Sequence, residues 1–189
     1  LFGIGTPTGV DLPDEKSGNI PNPEWKSKTF KGDIWRVGDT YNTSIGQYGF
    51  QVTPIEMVRA SAAIANYGKL MTPHFLLGDT VKENQFTTID LPKSYFDIAH
   101  EGMRGAVTMG TAMTLDVPYV KVAVKTGTAQ IGVTKDRLNS WVMGFYPYEN
   151  PKYAFVLLME SGPKDSSSAS SVARQLFDWM SIHTPEYFE

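Results

Sequence analysis

Residues 122–132 read VAVKTGTAQIG, an apolar, β-branched run that ends on a lysine and passes into small, hydroxyl-bearing residues. Upstream, Val120, Val122 and Val124 alternate with Tyr119, Lys121, Ala123 and Lys125, the period of two that sends successive side chains to opposite faces of a strand. Lys125 is thereby expected to end a strand at a sheet edge, on the face opposite the valines. Downstream, SWVMGFY (Ser140 to Tyr146) and YAFVLLME (Tyr153 to Glu160) read as two further strands. The turn-forming PYENPK between them is short enough to demand an antiparallel hairpin.

The flanking segments are helical. Thr53-Pro54-Ile55-Glu56 combines a threonine cap, proline at the first helical position and glutamate three residues after the cap, which predicts a helix to about Asn66, stopped at Gly68. A second helix is expected from near Ser94, with Asp97 three residues on, turning Met103, Ala106 and Val107 inward toward Gly110. Residues 70–92 read as loop with short strands. A closing helix over residues 168–183 is expected to bury Val172, Leu176 and Met180, with Pro185 beyond its end. Residues 1–50 are loop-rich, because Pro7, Pro13, Pro21 and Pro23 interrupt every helix that could form there. The chain therefore divides into a loop-rich part (1–50), a mainly helical part (53–114), antiparallel strands (119–160) and a closing helix. Helices packed on one antiparallel sheet of three strands define an α+β fold.

Composition narrows the function. The 189 residues suit one domain, and 41% hydrophobic with 20% charged residues is an ordinary globular balance. A net charge of -3 without a basic stripe argues against nucleic acid as a partner. There are no cysteines, so thiolate metal sites and disulfides are excluded. His74, His100 and His183 are scattered at spacings that assemble no metal site, and the eight Met and four Trp read as packing residues. The chain opens on Leu1 inside a glycine-rich segment, without the basic and apolar regions of a signal peptide, and is expected to be a piece of something longer.

A lysine at a strand edge, with two threonine hydroxyls and a glycine that lets a ligand approach the backbone, is suited to recognising a carboxylate: a cation, two donors and exposed N–H groups. The surrounding motifs sharpen this. TGVDLP (Thr8 to Pro13), W-x-x-GDT-x-x-x-SIGQ (Trp35 to Gln47), VTPIEM (Val52 to Met57), GMRGAV (Gly102 to Val107), GTA (Gly110 to Ala112) and KTGTAQ (Lys125 to Gln130) follow one another in this order. In them the chain resembles the penicillin-binding transpeptidases, and among these the class B enzymes that cross-link peptidoglycan during cell elongation.

The resemblance implies the C-terminal portion of a single transpeptidase domain, residues 1–189, of the penicillin-binding protein and serine β-lactamase type. It implies that Lys125, Thr126, Gly127 and Thr128 bind the terminal carboxylate of a stem peptide ending in D-Ala-D-Ala, or of a β-lactam antibiotic. Lys125 and Thr128 would also serve catalysis, Thr128 through a backbone N–H in the oxyanion hole. No cofactor and no metal are implied. Proteins of the cell-elongation machinery are the implied partners, and the implied location is periplasmic or extracytoplasmic, the parent being held in the inner membrane by an N-terminal segment.

In this family the nucleophile motif S-x-x-K and the S-x-N motif precede TGVDLP, so the chain is expected to lack them and to be inactive alone. The literal matches Ser161-Gly-Pro-Lys164 and Ser17-Gly-Asn19 read as decoys, and the Ser166 to Ser168 run has no lysine one turn further on. SGPKDSSSASS (Ser161 to Ser171) reads as a mobile loop near the cleft, and SIGQYG as cleft wall or as packing for the following helix. Three positions depart from the family pattern: Asp14 and Tyr48, where glycine is usual, and Val124, whose bulk is expected to narrow the cleft. The alternatives are a D,D-carboxypeptidase or serine β-lactamase, and a non-catalytic β-lactam-sensing module.

Overall fold

The structure, a computed structural model, describes residues 1–76, 85–132, 136–164 and 168–189. Ser166 and Ser167 of the serine run lie outside these residues, as does part of the Ser161 to Ser171 segment. In chain order the elements are α1 (Pro23–Thr29), α2 (Val37–Ser44), α3 (Pro54–Ala65), β1 (Lys69–Met71), β2 (Phe86–Thr88), α4 (Lys93–Thr108), β3 (Ala123–Ile131), β4 (Arg137–Tyr146), β5 (Tyr153–Pro163) and α5 (Ala169–His183). The three long strands form one antiparallel sheet in the order β3-β4-β5, and β1 pairs with β2 in a small hairpin. The fold is α+β, with helices laid against an antiparallel sheet of three strands.

One face of that sheet is closed by α5. Phe177, Ala173 and Ala169 of α5 are buried together with Val124, Val142 and Tyr146, and Leu157 and Met159 pack on this cluster. The core-facing residues of α5 follow i, i+4, i+8 from Ala169, whereas the expected Leu176 is 47% exposed. The two alanines let the helix approach the sheet closely, a preference that a large-residue pattern does not reveal. The opposite face is covered at one end by α3, whose Ser61 hydroxyl donates to Gly144 O at 2.9 Å. The other end of that face is open.

The expected capping of α3 is present: the Thr53 hydroxyl accepts from the Glu56 N–H, and the Glu56 carboxylate accepts from the Thr53 N–H at 2.7 Å. That carboxylate does more. It is 1% exposed and also accepts from the backbone N–H groups of Gly5 and Gly18, both at 2.9 Å, so the start of α3 ties down two distant loops. A Cβ at Gly18 would fall 2.1 Å from Gln51 O, so only glycine lets the two backbones meet there.

Two helices in the loop-rich part correct the reading of its prolines. Pro23 sits at the first turn of α1, where a missing N–H costs nothing, behind an Asn22 cap that accepts from the Trp25 N–H at 2.8 Å. Both helices belong to a small satellite core in which Tyr48 packs edge-on against Trp25 and Trp35. Beneath it the buried Lys26 ammonium donates to Asp39 at 2.6 Å and lies 3.2 Å from Asp33. The excursion is closed by reciprocal backbone hydrogen bonds between Asn19 and Gln51, at 2.8 and 2.9 Å.

Asp14 and Tyr48 both adopt positive φ, 59° and 60°, which is the physical reason glycine is usual at such positions. α4 starts one residue before Ser94, after Pro92, and Asp97 pairs with Lys93 at 2.5 Å instead of closing a cap. It buries Phe96, His100, Met103 and Val107, while Ala106 is half-buried.

Candidate active site

Strand β3 begins at Ala123 and continues through K-T-G-T-A-Q to Ile131, so Lys125 lies inside the strand and not at its end. Val120 and Val122 are buried ahead of it, in the approach to the sheet. β3 is the edge strand, with β4 as its sheet partner. Lys125 pairs with Met143 and Gly127 with Trp141, and these in turn pair with Val156 and Leu158 of β5. Partners across a sheet share a face, so these residues line up with Lys125 on the face that α3 leaves open.

There Lys125, Gly127, Trp141, Met143 and Leu158 form the floor of a cleft of about 610 Å³. Its far wall comes from Ile45, Gly46, Gln47, Phe50 and Val52, with Met57 of α3, and Asn139 and Glu160 stand toward the open end. The SIGQ segment is thus cleft wall. Sequence reading named Lys125 through Thr128, and all four line this cleft. It missed Asn139, Trp141, Met143, Leu158 and Glu160, whose only signal is strand register relative to Lys125.

The pleat divides the group chemically. The Lys125 ammonium donates to Thr126 O at 2.5 Å and makes no ion pair among the described residues, which leaves a cation free to meet an anion in the cleft. Thr126 and Thr128 lie on the alternate positions, and they reach the cleft along the strand's open margin. The Thr126 hydroxyl is 2.7 Å from the hydroxyl of Thr111, on the loop after α4. Gly127 adopts no strained backbone, and a Cβ there would meet only Trp141 Cβ, at 3.5 Å. The fold tolerates a side chain at 127, so glycine serves the open strip of cleft beside the strand.

Val124 does not narrow this cleft. It is fully buried on the opposite face, in the core under α5, directly across from Gly144. A Cβ at Gly144 would lie 2.7 Å from Val124 Cγ1 and 2.2 Å from Ala123 O, so glycine on β4 accommodates valine on β3.

The two motifs that read as decoys are built into the scaffold. Ser161 lies near the end of β5 at φ 58°, its N–H donating to Asn139 Oδ1 at 2.9 Å, and the strand runs on to Pro163, so Ser161 and Lys164 are not set one helical turn apart. Ser17-Gly-Asn19 sits between the Glu56 carboxylate and the Gln51 bridge. His100 bonds Ile64 O at 2.8 Å inside the core, and His183 stacks on Trp179.

An antiparallel sheet with a K-T-G edge strand, closed behind by the final helix and open to a cleft in front, is the framework of a penicillin-binding transpeptidase. The profile of the penicillin binding protein transpeptidase domain matches residues 1–178, and the chain belongs to that family. It is 33% identical over 200 residues to the peptidoglycan D,D-transpeptidase MrdA of Acinetobacter baumannii, covering 94% of this chain and 29% of that protein. To the enzyme of the same name from Escherichia coli it is 34% identical over 202 residues, covering 94% of this chain and 31% of the relative. Among solved structures, the penicillin-binding protein PBP2 of Helicobacter pylori in complex with MreC aligns with a TM-score of 0.80 at 34% identity, over 97% of this chain and 34% of that one. The chain spans about a third of the length of these relatives. No helix among the described residues is long and apolar enough to cross a membrane.

Proposed function

We propose that this chain is the C-terminal portion of the transpeptidase domain of a penicillin-binding peptidoglycan D,D-transpeptidase, and that it supplies the carboxylate-binding edge of the active site. The observation that carries the reading is Lys125: a cation without an ion-pair partner among the described residues, on an edge strand over an open cleft, in a chain of this family. The names of the relatives, peptidoglycan D,D-transpeptidases, favour transfer over the hydrolysis of a carboxypeptidase or β-lactamase.

In this reading the Lys125 ammonium and the hydroxyls of Thr126 and Thr128 hold the terminal carboxylate of a D-Ala-D-Ala stem peptide along β3. A serine supplied by the rest of the parent attacks the penultimate D-Ala carbonyl. Its proton passes through a general base to the departing amine as the C–N bond breaks, and the terminal D-Ala leaves. An amine of a neighbouring stem peptide then attacks the ester, forming the cross-link and restoring the serine. The Thr128 N–H is one oxyanion donor, a role worth about 3 to 4 kcal/mol of barrier. The other is the N–H of the nucleophile itself. A β-lactam enters by the same route and stays attached as the acyl ester. The parent works outside the cytoplasm, anchored by an N-terminal segment, with elongation proteins as partners; the MreC complex of the Helicobacter pylori protein supports that assignment.

The test is to incubate the chain and its full-length parent with fluorescent penicillin, denature both and measure intact mass. A single adduct on the parent and none on the chain alone is the expected outcome. A stoichiometric adduct on the chain, at Ser161 above all, would contradict the division of the site between the two parts.

A further inference from the structure

Of the motifs read in the sequence, Gly110-Thr111-Ala112 does not line the cleft and has been given no role there, yet the fold is built to present it. A Cβ at Gly110 would lie 2.9 Å from Ala106 Cα and 3.1 Å from Ala106 O, so only glycine lets the chain turn this closely under the last turn of α4. Ala112 is fully buried, and its N–H donates to Ala106 O at 2.9 Å. The buried Leu115 then donates its N–H to Ala112 O at 2.9 Å. Arg104 fastens the loop to the approach to β3, donating to Val122 O at 3.0 Å and to Asp116 at 3.1 Å. Between these anchors Thr111 is exposed and contributes nothing to the core. Its hydroxyl stands 2.7 Å from that of Thr126.

We propose that Thr111 is a positioning residue for transpeptidation and for acylation by β-lactams: it holds the Thr126 hydroxyl in the orientation that donates to the substrate carboxylate. This rests on the carboxylate-clamp reading of Lys125 to Thr128. A hydroxyl has one proton to give and two lone pairs to receive. When Thr111 donates to Thr126 Oγ1, the Thr126 proton is left for a carboxylate oxygen, and the two hydrogen bonds run in the same direction and polarise one another. The contact also selects one staggered χ1 state of Thr126, which otherwise exchanges with the others at an open strand margin. Thr111 therefore acts through Thr126 and does not touch the ligand.

The experiment uses the full-length parent and benzylpenicillin, measuring the saturation constant and the limiting rate of acylation separately, with melting temperature as a control. Thr111→Val removes the hydroxyl at nearly constant shape. It is expected to lower the second-order acylation rate about fivefold, the worth of one neutral hydrogen bond, mainly through weaker saturation, with melting temperature unchanged. Thr111→Ser restores the hydroxyl and the rate. In a Thr126→Val background, Thr111→Val adds nothing further, because its target is gone. If Thr126→Val slows acylation while Thr111→Val leaves it at the wild-type rate, the inference about Thr111 fails and the clamp stands. If Thr126→Val has no effect, the clamp reading itself fails. A full additional loss from Thr111→Val in the Thr126→Val background, or no rescue by serine, would show that Thr111 acts elsewhere and overturn the proposal.

Discussion

The two sides of the cleft are held together by different physics. Its floor, β3 to β5 backed by α5, rests on apolar packing: Phe177, Val142, Val124, Ala169 and Ala173 interlock behind the sheet. Its far wall, from residues 1–52, rests on a small aromatic cluster around Tyr48 and on carboxylates aimed at the backbone and, at Asp39, at the buried Lys26 ammonium. Glu56 holds Gly5, Gly18 and Thr53, Glu15 holds Thr8 and Gly9, Asp11 holds Phe75 and Leu76, and Asp39 holds Lys26. Hydrophobic burial is non-directional and tolerates pH, whereas the ties made by Glu15, Asp11 and Asp39 depend on ionised carboxylates. The difference shows how one cleft can join an edge set by apolar packing to a wall tied down by directed polar contacts.

The comparison breaks most visibly at Phe177. Phe177→Ala leaves a cavity behind the sheet and is expected to cost about 3 to 5 kcal/mol of unfolding free energy. Leu176→Ala, one position away on the half-exposed face, should stay within about 0.5 kcal/mol. Denaturant unfolding of both variants checks this, and equal losses would mean that the core face of α5 is wrongly placed. At Glu56 the effect is smaller and local. Glu56→Ala strands two loop N–H groups and the α3 cap, which should cost about 2 to 3 kcal/mol and raise hydrogen exchange at Gly5 and Gly18 before any loss of protection in β4.

Acid sharpens the contrast further. Hydrogen bonds from the Thr8 side chain and backbone lower the Glu15 pKa, the backbone N–H groups of Leu76 and Phe75 lower that of Asp11, and the Lys26 ammonium lowers that of Asp39. A carboxylate with a depressed pKa stabilises the fold above its unfolded value, and that contribution is lost as pH falls through the folded one. Protection in residues 1–52 should therefore fall as pH drops below about 4, ahead of protection in the sheet. Hydrogen exchange at pH 7 and pH 3 reads this directly, and simultaneous loss in both regions would remove the distinction.

The same division explains what could be read from the sequence. The hairpin connection and the Thr53 to Glu56 capping box are local signals, and each matches an element of the fold, whereas of the alternating valines only Val124 lies in β3, which runs on past Lys125 to Ile131. The helices of the far wall are not legible, because α1 and α2 are short and depend on the Lys26–Asp39 pair and on aromatic contacts of Tyr48 across tens of residues. On α5 the expected Met180 packs on the core while Leu176 does not, because two alanines and Phe177 form the face that meets the sheet. At the site, Lys125 to Thr128 are contiguous and therefore visible. The cleft floor at Met143 and Trp141, the Thr111 contact and the fit of Val124 to Gly144 all depend on register or on a loop's return, which one linear sequence does not encode at any fixed spacing.

Lys125 belongs to the comparison because it stands on the packed edge strand and lines the cleft that the two regions enclose. Lys125→Ala in the full-length parent, with penicillin acylation rate and melting temperature measured on the same preparation, is the most direct test of the carboxylate edge. The ammonium is exposed and unpaired among the described residues, so its loss should leave the melting temperature unchanged. Acylation should slow by about tenfold or more, because a positioned cation orients the reacting carboxylate. An unchanged acylation rate would remove Lys125 from the active site and contradict the reading of β3 as its substrate-binding edge.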